Sequence, residues 1–234
     1  NESHMPQIPP ALMLFAAGFG RRMHPLTDQR PKPLVKVAGK ALIDHARSLA
    51  DSAGIQRIVA NTHYKAEMIA DHLTDSAITL SHETPEILET GGGLRAALPY
   101  LGPAPVLTLN TDAVWRGVNP LALLQAHWKP EKMDALLLCI PPEQALGHSS
   151  NGDFLVADDN HLIRGPDLIF SGAQLLKTEG LQNIPDRIFS LNRLWDKMLA
   201  HRSIYGLIYT GLWCDVGQPT SIAVAENMLF SNDV

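Results

Sequence analysis

Six cations cluster between positions 21 and 40, where a single acidic residue, Asp28, opposes them. They are Arg21, Arg22, Arg30, Lys32, Lys36 and Lys40. The whole chain carries a net charge of −5, so this local excess of positive charge predicts a binding site for a polyanionic ligand. Pro31 and Pro33 flank Lys32 and restrict the backbone on both sides, so the ammonium group is presented from a stiff segment.

A glycine-containing loop directly precedes these cations. The apolar run over residues 12–17 predicts a buried strand, which ends in the loop Gly18-Phe19-Gly20. Small residues in such a loop allow backbone N–H groups to approach a phosphate closely. Two other phosphate-binding motifs do not fit, because a dinucleotide fingerprint would need glycine in place of Met23 and no Gly-Lys-Ser/Thr follows.

The segments AAGFGRRMHPLT and RPKPLVKVAGKALI resemble the signature of the sugar-phosphate nucleotidyltransferases, G-x-G-x-R-[ML]-x-P-L-T followed by P-K-P-[LM]. The resemblance implies that the loop wraps a nucleoside triphosphate and that a sugar 1-phosphate attacks its α-phosphorus. It implies catalytic roles for Arg22 and Lys32. The nucleotide-binding residues that it implies are Ala17, Gly18, Gly20, Arg21, Arg22, Lys32, Gly91, Gly92 and Asp112.

Two aspartates are candidates for binding a metal ion. Asp112 follows the apolar segment APVLTLN, and ligands of open parallel sheets bind beyond the carboxyl ends of the strands, although an Asp after a strand is also a common turn or helix-cap residue. A carboxylate next to a triphosphate would repel it unless a divalent cation lay between them. The segment W-x-D-V-G-x-P contains Asp215 and resembles the family's W-x-D-[IV]-G-[TS]-P, with Gln218 in place of threonine or serine. The resemblance implies that Asp112 and Asp215 are catalytic and hold Mg²⁺.

A second glycine-rich segment, ETGGG over residues 89–93, opens a predicted helix that runs to about Leu101. Three glycines lose much backbone entropy on folding, so a close ligand approach or a very tight turn must explain them. The segment resembles the turn found in the muramate- and mannose-phosphate branches of the family. The resemblance implies contact with the base and ribose.

Two later segments are candidates for the sugar site. NGDF, from residue 151, resembles a GDF segment of the muramate-phosphate uridylyltransferases, although N-G-D is also an ordinary hairpin turn. FSGA, from residue 170, resembles the family segment beneath the sugar. The resulting candidates are Asn151, Gly152, Asp153, Ser171 and Gly172, with His148 nearby.

Hydrophobic periodicity predicts strands and helices in alternation, which indicates a mostly parallel mixed sheet covered on both faces. Helices are predicted near residues 41–53, 62–73 and 119–128, and strands near residues 57–60, 77–81 and 134–140. Thr62 is expected to cap the second helix, with Met68 facing inward. The expected fold class is α/β, a Rossmann-like three-layer sandwich. Residues 1–10 are expected to be a disordered or tag-derived tail, and residues 11–234 one domain with a nucleotide half (about 11–115) and a sugar half (about 116–230).

Composition limits the partners and the cellular location that we expect for this protein. The mildly acidic chain argues against nucleic acid as a partner, and no apolar run approaches the roughly 20 residues that span a bilayer. The first residues lack the features of a signal peptide, so we expect a cytoplasmic protein, a monomer or small homo-oligomer. Cys139 and Cys214 have no CxxC partner and are expected to be reduced structural thiols.

The sequence therefore predicts a Mg²⁺-dependent transferase that forms an NDP-sugar and pyrophosphate from a nucleoside triphosphate and a sugar 1-phosphate. Within the family the resemblance is greatest to the branch acting on UTP and N-acetylmuramate 1-phosphate in peptidoglycan recycling. Mannose 1-phosphate with GTP, or another hexose 1-phosphate, is the alternative. A protein of another class, a non-catalytic nucleotide-sugar-binding regulator, should lack a metal carboxylate or a phosphate-binding cation, and a dinucleotide-dependent redox enzyme is disfavoured by Met23.

Overall fold

The computed structural model describes residues 8–231. Its helices are α1 (Leu42–Ser52), α2 (Ala66–His72), α3 (Glu89–Leu101), α4 (Pro120–His127), α5 (Asn192–Ala200) and α6 (Ser221–Phe230). Its strands are β1 (Leu12–Phe15), β2 (Lys36–Val37), β3 (Lys40–Ala41), β4 (Ile58–Thr62), β5 (Thr79–His82), β6 (Val106–Asn110), β7 (Ala113–Arg116), β8 (Ala135–Ile140), β9 (Ala145–Leu146), β10 (Phe154–Val156), β11 (Leu162–Arg164), β12 (Ile169–Leu176), β13 (Ile204–Ile208) and β14 (Leu212–Asp215).

A seven-stranded sheet forms the centre of the molecule, in the order β13-β8-β12-β6-β1-β4-β5. β1 pairs in parallel with β4 and β6, and β8 pairs in parallel with β13. β12 runs antiparallel to both of its neighbours, β6 and β8. The predicted mostly parallel mixed sheet is confirmed.

Side chains alternate between the two faces of this sheet, and each face is covered by helices. Leu12 and Leu14 of β1 join a core with α1, α2 and α4, whereas Met13 joins a core on the other face with α3 and α5. Successive residues of a strand point to opposite faces, so one apolar strand serves both cores. The predicted three-layer arrangement is therefore confirmed.

A third core lies beside the main sheet. The short strands β7, β14 and β9 form a small sheet, and α6 packs against it. Met23, from the segment after the glycine loop, is fully buried in this core with Val114, Cys214 and Met228. Residues from the start, middle and last part of the described chain thus meet at one place.

Two local predictions are wrong. Thr62 does not cap a helix, because it is the last residue of β4, is buried and is hydrogen bonded through its hydroxyl to His82. The helix begins four residues later, at Ala66, and Met68 is 38% exposed whereas Ile69 is buried.

The predicted tail lies mostly outside the described residues, and residues 8–10 belong to no helix or strand. Both cysteines are free and buried, as predicted. Within residues 8–231, none of the helices is long and apolar enough to cross a membrane.

Candidate active site

The glycine loop follows β1 at the carboxyl edge of the sheet. At Gly20 the backbone is left-handed (φ +64°), and a Cβ there would lie 2.9 Å from Cβ of Lys32. At Gly18, by contrast, a Cβ would meet nothing within 4 Å, so the loop is open on that side. Within residues 8–231 the N–H groups of Ala17, Gly18 and Phe19 donate to no protein acceptor. Such unpaired donors suit an oligophosphate.

A cleft of about 490 Å³ lies against this loop. Its lining includes every predicted nucleotide-binding residue except Gly91 and Gly92. Those present are Ala17, Gly18, Gly20, Arg21, Arg22, Lys32 and Asp112. The cations and one of the two predicted metal ligands are thus brought to the same cavity as the loop.

Strand pairing brings the two predicted metal ligands together. Asp112 lies between β6 and β7, and Asp215 is the last residue of β14. β7 and β14 pair antiparallel with Asp215 opposite Ala113, and the N–H of Val216 donates to the C=O of Asp112 at 2.8 Å. Burial, and then the Asp112 carboxylate, raise the pKa of Asp215 above its ordinary value. The two acids are therefore close enough to repel each other.

A lysine side chain, a histidine hydrogen bond and an arginine lie beside the acidic pair. Nζ of Lys32 lies 3.5 Å from Oδ2 of Asp112, and its side chain is only 13% exposed. Nδ1 of His148 lies 3.1 Å from Oδ2 of Asp215, and this hydrogen bond acts to lower the pKa of Asp215. A Cβ on Gly217 would lie 3.4 Å from both Arg22 Nη1 and Asp215 Oδ1, so Arg22 also approaches the acidic pair.

The donor set fits a hard divalent cation. A bound dication stabilises two partly buried carboxylates that repel each other. Carboxylate oxygens are also the ligands that Mg²⁺ prefers. Within residues 8–231, no group of three or more His, Cys, Asp or Glu is arranged to hold a metal. Asp112 and Asp215 would thus leave coordination positions for water and phosphate oxygens, as is usual for Mg²⁺.

A buried polar network that sequence reasoning missed supports the floor of the cleft. The side-chain oxygen of Asn61 accepts the N–H of Ala16 at 2.7 Å, and its amide group donates to Glu83 at 2.9 Å. Glu83 also accepts the N–H of Leu88 at 2.8 Å. Asn61 and Glu83 are both buried and line the cleft. They lie at or just beyond the carboxyl ends of β4 and β5, so the rule that located Asp112 could have found them.

Close packing against a later part of the chain accounts for Gly91 and Gly92 of the ETGGG segment. A Cβ on Gly91 would lie 2.3 Å from the ring of Phe189, and one on Gly92 would lie 2.5 Å from the C=O of Arg187. Both glycine N–H groups donate to the C=O of Phe189. Gly91 and Gly92 are buried against the protein, and Glu89 and Thr90 are the residues of this turn that line the cleft. The contact of Gly91 and Gly92 with the nucleotide stays a prediction.

A second cavity, of about 280 Å³, adjoins the first and shares Phe15, Thr90 and Asn110 with it. Of the predicted sugar-binding residues only Asp153 lines it. Its other polar lining residues, which sequence reasoning missed, are Arg164, Gln174, Ser190 and Asn192, together with the indole-bearing Trp195. Nε1 of Trp195 donates to the side-chain oxygen of Gln174 at 3.0 Å.

The remaining sugar-site candidates do not line this cavity, and their contact with a sugar stays a prediction. Ser171 is buried and its hydroxyl accepts the N–H of Ala173. A Cβ on Gly172 would lie 2.6 Å from the side chain of Asn110, and one on Gly152 would lie 2.8 Å from the backbone of Asp167. These glycines make room for neighbouring chain segments, and Asn151 is exposed outside the cavity.

A glycine loop with unpaired N–H groups, a set of cations and a carboxylate pair at the carboxyl edge of an α/β sheet are typical of an enzyme that handles phosphorylated substrates. The profile of the MobA-like NTP transferase domain matches residues 12–199. N-acetylmuramate alpha-1-phosphate uridylyltransferase of Caulobacter vibrioides is 38% identical, with 96% of this chain and 99% of the relative aligned. The enzyme of that name from Neisseria meningitidis serogroup B is 35% identical, with 92% and 96% aligned.

Solved structures agree on the fold. HddC from Yersinia pseudotuberculosis, in complex with GMP-PN, superposes with a TM-score of 0.74 at 19% identity, covering 94% of this chain and 99% of that one. The inositol-1-phosphate CTP transferase from T. maritima gives 0.76 at 15% identity, covering 95% and 96%. The chain belongs to the MobA-like NTP transferase family, among its sugar-phosphate nucleotidyltransferases.

Proposed function

We propose that this enzyme joins UTP and N-acetylmuramate 1-phosphate to give UDP-N-acetylmuramate and pyrophosphate, a step of cell-wall recycling. The observation that carries the proposal is the continuity of the two cavities through Phe15, Thr90 and Asn110. A nucleotide in the first cavity and a sugar in the second would place their phosphates side by side. The choice of UTP and of this sugar is supported by the two relatives that align over nearly their whole length.

The chain's charged residues have distinct tasks in this reaction. A phosphate oxygen of the sugar 1-phosphate forms a bond to the α-phosphorus of UTP, and the bond from that phosphorus to the β-phosphate oxygen breaks. The loop N–H groups of Ala17, Gly18 and Phe19 would hold the phosphates, and Arg22 and Lys32 would balance the negative charge that develops on pyrophosphate.

Asp112 and Asp215 would hold Mg²⁺. When bound, this ion neutralises the phosphate oxygens so that two anions can approach each other. Lys32, 3.5 Å from Asp112, is placed to contact both the acidic pair and a phosphate. His148 would fix the orientation of the Asp215 carboxylate through its 3.1 Å hydrogen bond.

The reaction needs no general base, because the attacking phosphate oxygen is already ionised at neutral pH. Rate acceleration then comes from positioning and from electrostatic stabilisation. This suits the composition of the cleft, where the described lining residues include cations, carboxylates and small residues.

Mannose 1-phosphate with GTP is the alternative substrate pair. The mannose-1-phosphate guanylyltransferase catalytic subunit beta of Dictyostelium discoideum is 27% identical, and the alignment covers 88% of this chain but 61% of that protein. Because this similarity is weaker, GTP and mannose 1-phosphate are less well supported as substrates than UTP and N-acetylmuramate 1-phosphate. A regulator without catalysis is disfavoured because Arg22, Lys32 and Asp112 line one cleft, with Asp215 beside them.

The test is a pyrophosphate-release screen of UTP, GTP, CTP, ATP and dTTP against N-acetylmuramate, N-acetylglucosamine, mannose and glucose 1-phosphates. We expect the fastest turnover with UTP and N-acetylmuramate 1-phosphate, and none after EDTA treatment. Fastest turnover with GTP and mannose 1-phosphate would replace the proposal by the alternative. No turnover with any pair would favour the hypothesis that the protein is a non-catalytic regulator.

A further inference from the structure

The second cavity contains one cation, Arg164, and one anion, Asp153, among its described lining residues. Asp153 is already engaged, because its Oδ2 accepts the N–H of Phe170 at 2.9 Å. No ion pair joins the two residues in the described structure. The positive charge of Arg164 at this cavity is therefore not cancelled by Asp153.

Arg164 is held in place by its neighbours. It is the last residue of β11, and its guanidinium carbon lies 5.2 Å from the ring centre of Phe154 and 6.0 Å from that of Trp195. These cation–π contacts lower the conformational freedom of the guanidinium.

The protein partner of Arg164 is a weak one. Nη2 donates to Oδ1 of Asp196 at 2.9 Å, but the Asp196 side chain is 62% exposed, so water screens this pair. A guanidinium has five N–H donors in a planar fork, and this single hydrogen bond leaves others for a ligand. The cavity therefore offers an oriented and largely unused anion receptor.

We infer that Arg164 determines specificity for a sugar that carries a carboxylate. The inference rests on the proposed function: N-acetylmuramate differs from N-acetylglucosamine by a lactyl ether that ends in a carboxylate, and a planar guanidinium binds carboxylates through paired hydrogen bonds. Neutral hexoses such as mannose have no group that requires a cation. The second carboxylate oxygen of Asp153 and the amide nitrogen of Gln174 are not used in these hydrogen bonds and remain for the sugar hydroxyls.

The experiment compares binding of UDP-N-acetylmuramate and UDP-N-acetylglucosamine by calorimetry. We expect Arg164→Gln to weaken binding of the first by about tenfold to a hundredfold and to change that of the second by less than about twofold. The matched control is Arg193→Gln, because Arg193 is an exposed arginine paired with Asp186 at 2.8 Å and does not line the cavity. It should change neither affinity.

A second variant separates recognition from a structural role of the ion pair. Asp196→Asn removes the protein partner but keeps the cation, so recognition of the carboxylate should persist. If Arg164→Gln and Asp196→Asn weaken both ligands alike, or if Arg164→Gln leaves the ratio of the two affinities unchanged, the inference is overturned.

The inference and the proposed function can fail separately. Wild-type turnover of N-acetylmuramate 1-phosphate with UTP, together with an unchanged affinity ratio in Arg164→Gln, would remove only the inference. Absence of that turnover in the wild-type enzyme would remove the proposed function, and the role of Arg164 with it.

Discussion

Ionisation of Asp215 is unfavourable in the ligand-free cleft. Burial and the neighbouring Asp112 carboxylate raise its pKa, and the hydrogen bond from His148 and the charge of Lys32 act against this shift. A carboxyl group whose pKa is raised by folding stabilises the fold below its ordinary pKa. That stability is lost as the pH rises through the raised value. Above the raised pKa the folded protein is less stable by the cost of ionising Asp215, and a bound cation would offset this cost.

We expect Asp215→Asn to lower turnover by at least about a hundredfold and to raise the melting temperature at pH 7 in EDTA, because a neutral amide removes the repulsion with Asp112. Asp112→Asn should lower turnover similarly. Pyrophosphate release and scanning calorimetry give the two readouts. Asp159→Asn is the control, because Asp159 is exposed and lies outside both cavities, and it should keep normal turnover.

Normal turnover of either Asp112→Asn or Asp215→Asn would remove the metal assignment. A lower melting temperature of Asp215→Asn in EDTA would instead show that its hydrogen bond with His148 outweighs the repulsion.

At the residue scale, sequence reasoning located the groups that belong to short motifs. Arg22, Lys32 and Asp112 line the cleft, and Asp215 lies beside Asp112. It missed residues such as Arg164, which reach a cavity only because distant segments pack together. Nothing in the local sequence around such a residue distinguishes it from an ordinary surface arginine.

At the scale of elements, α3 is bound tightly to a later segment, residues 181–191, which we call the strap. The C=O of Phe189 accepts N–H groups from Gly91 and Gly92, and Arg95 of α3 donates to the C=O groups of Leu181 and Ile184. The absence of side chains on the glycines lets the backbones approach. The strap thereby joins the turn that lines the first cavity to the wall of the second cavity.

We expect Gly92→Ala to destabilise the protein by about 1–3 kcal/mol, because the new Cβ would lie 2.5 Å from a backbone oxygen of Arg187. Alanine in a helix interior is normally favoured over glycine by about 1 kcal/mol, so the sign of the effect is diagnostic. Urea unfolding measures it. The reverse change at an exposed position of the same helix, Ala96→Gly, should cost about 1 kcal/mol by propensity alone. An increase in stability for Gly92→Ala would show that the strap yields easily.

Periodicity predicted several helices and the strands β1, β4, β5 and β8 of the main sheet. One predicted helix, α4, is capped by Asn119, whose side chain accepts the N–H groups of Leu121 and Ala122. Periodicity could not explain Gly91 and Gly92, because their packing partners in the strap come almost a hundred residues later, and a Cβ on Gly93 would meet the buried side chains of Glu83 and Asn61. Thr62 was misassigned because threonine suits both a strand end and a helix cap, and its pairing with His82 depends on the sheet.

At the scale of the whole molecule, the two cysteines lie in separate hydrophobic cores, so their reactivity can measure the opening of each core. Cys139 lies in β8 within one face of the main sheet, and Cys214 lies in the third core. Burial raises the pKa of Cys139 to about 12 and that of Cys214 to about 11. Because the thiolate is the reactive form, both should be inert while the protein is folded.

We expect Ellman's reagent at pH 8 to modify neither cysteine in the native protein and both after denaturation in guanidinium. Cys214→Ala and Cys139→Ala assign the signals. Rapid reaction of one thiol under native conditions would reveal local opening of the core around it, well below the free energy of global unfolding.

The order of strands in the sheet was beyond sequence reasoning, since pairing of distant strands leaves no local signal. The antiparallel β12, inserted between β6 and β8, and the separate small sheet are examples. The division into a nucleotide half and a sugar half, the cytoplasmic location and the oligomeric state remain predictions.

The third core has a consequence for synthesis. Met23 and the cations around it are translated early, Asp112 near the middle, and Asp215 and α6 close to the end of the described chain. A polypeptide still emerging from the ribosome therefore contains the glycine loop and its cations long before it contains both of the proposed metal ligands. Under the proposed function, a nascent chain that ends before β14 lacks Asp215 and should not consume nucleotides.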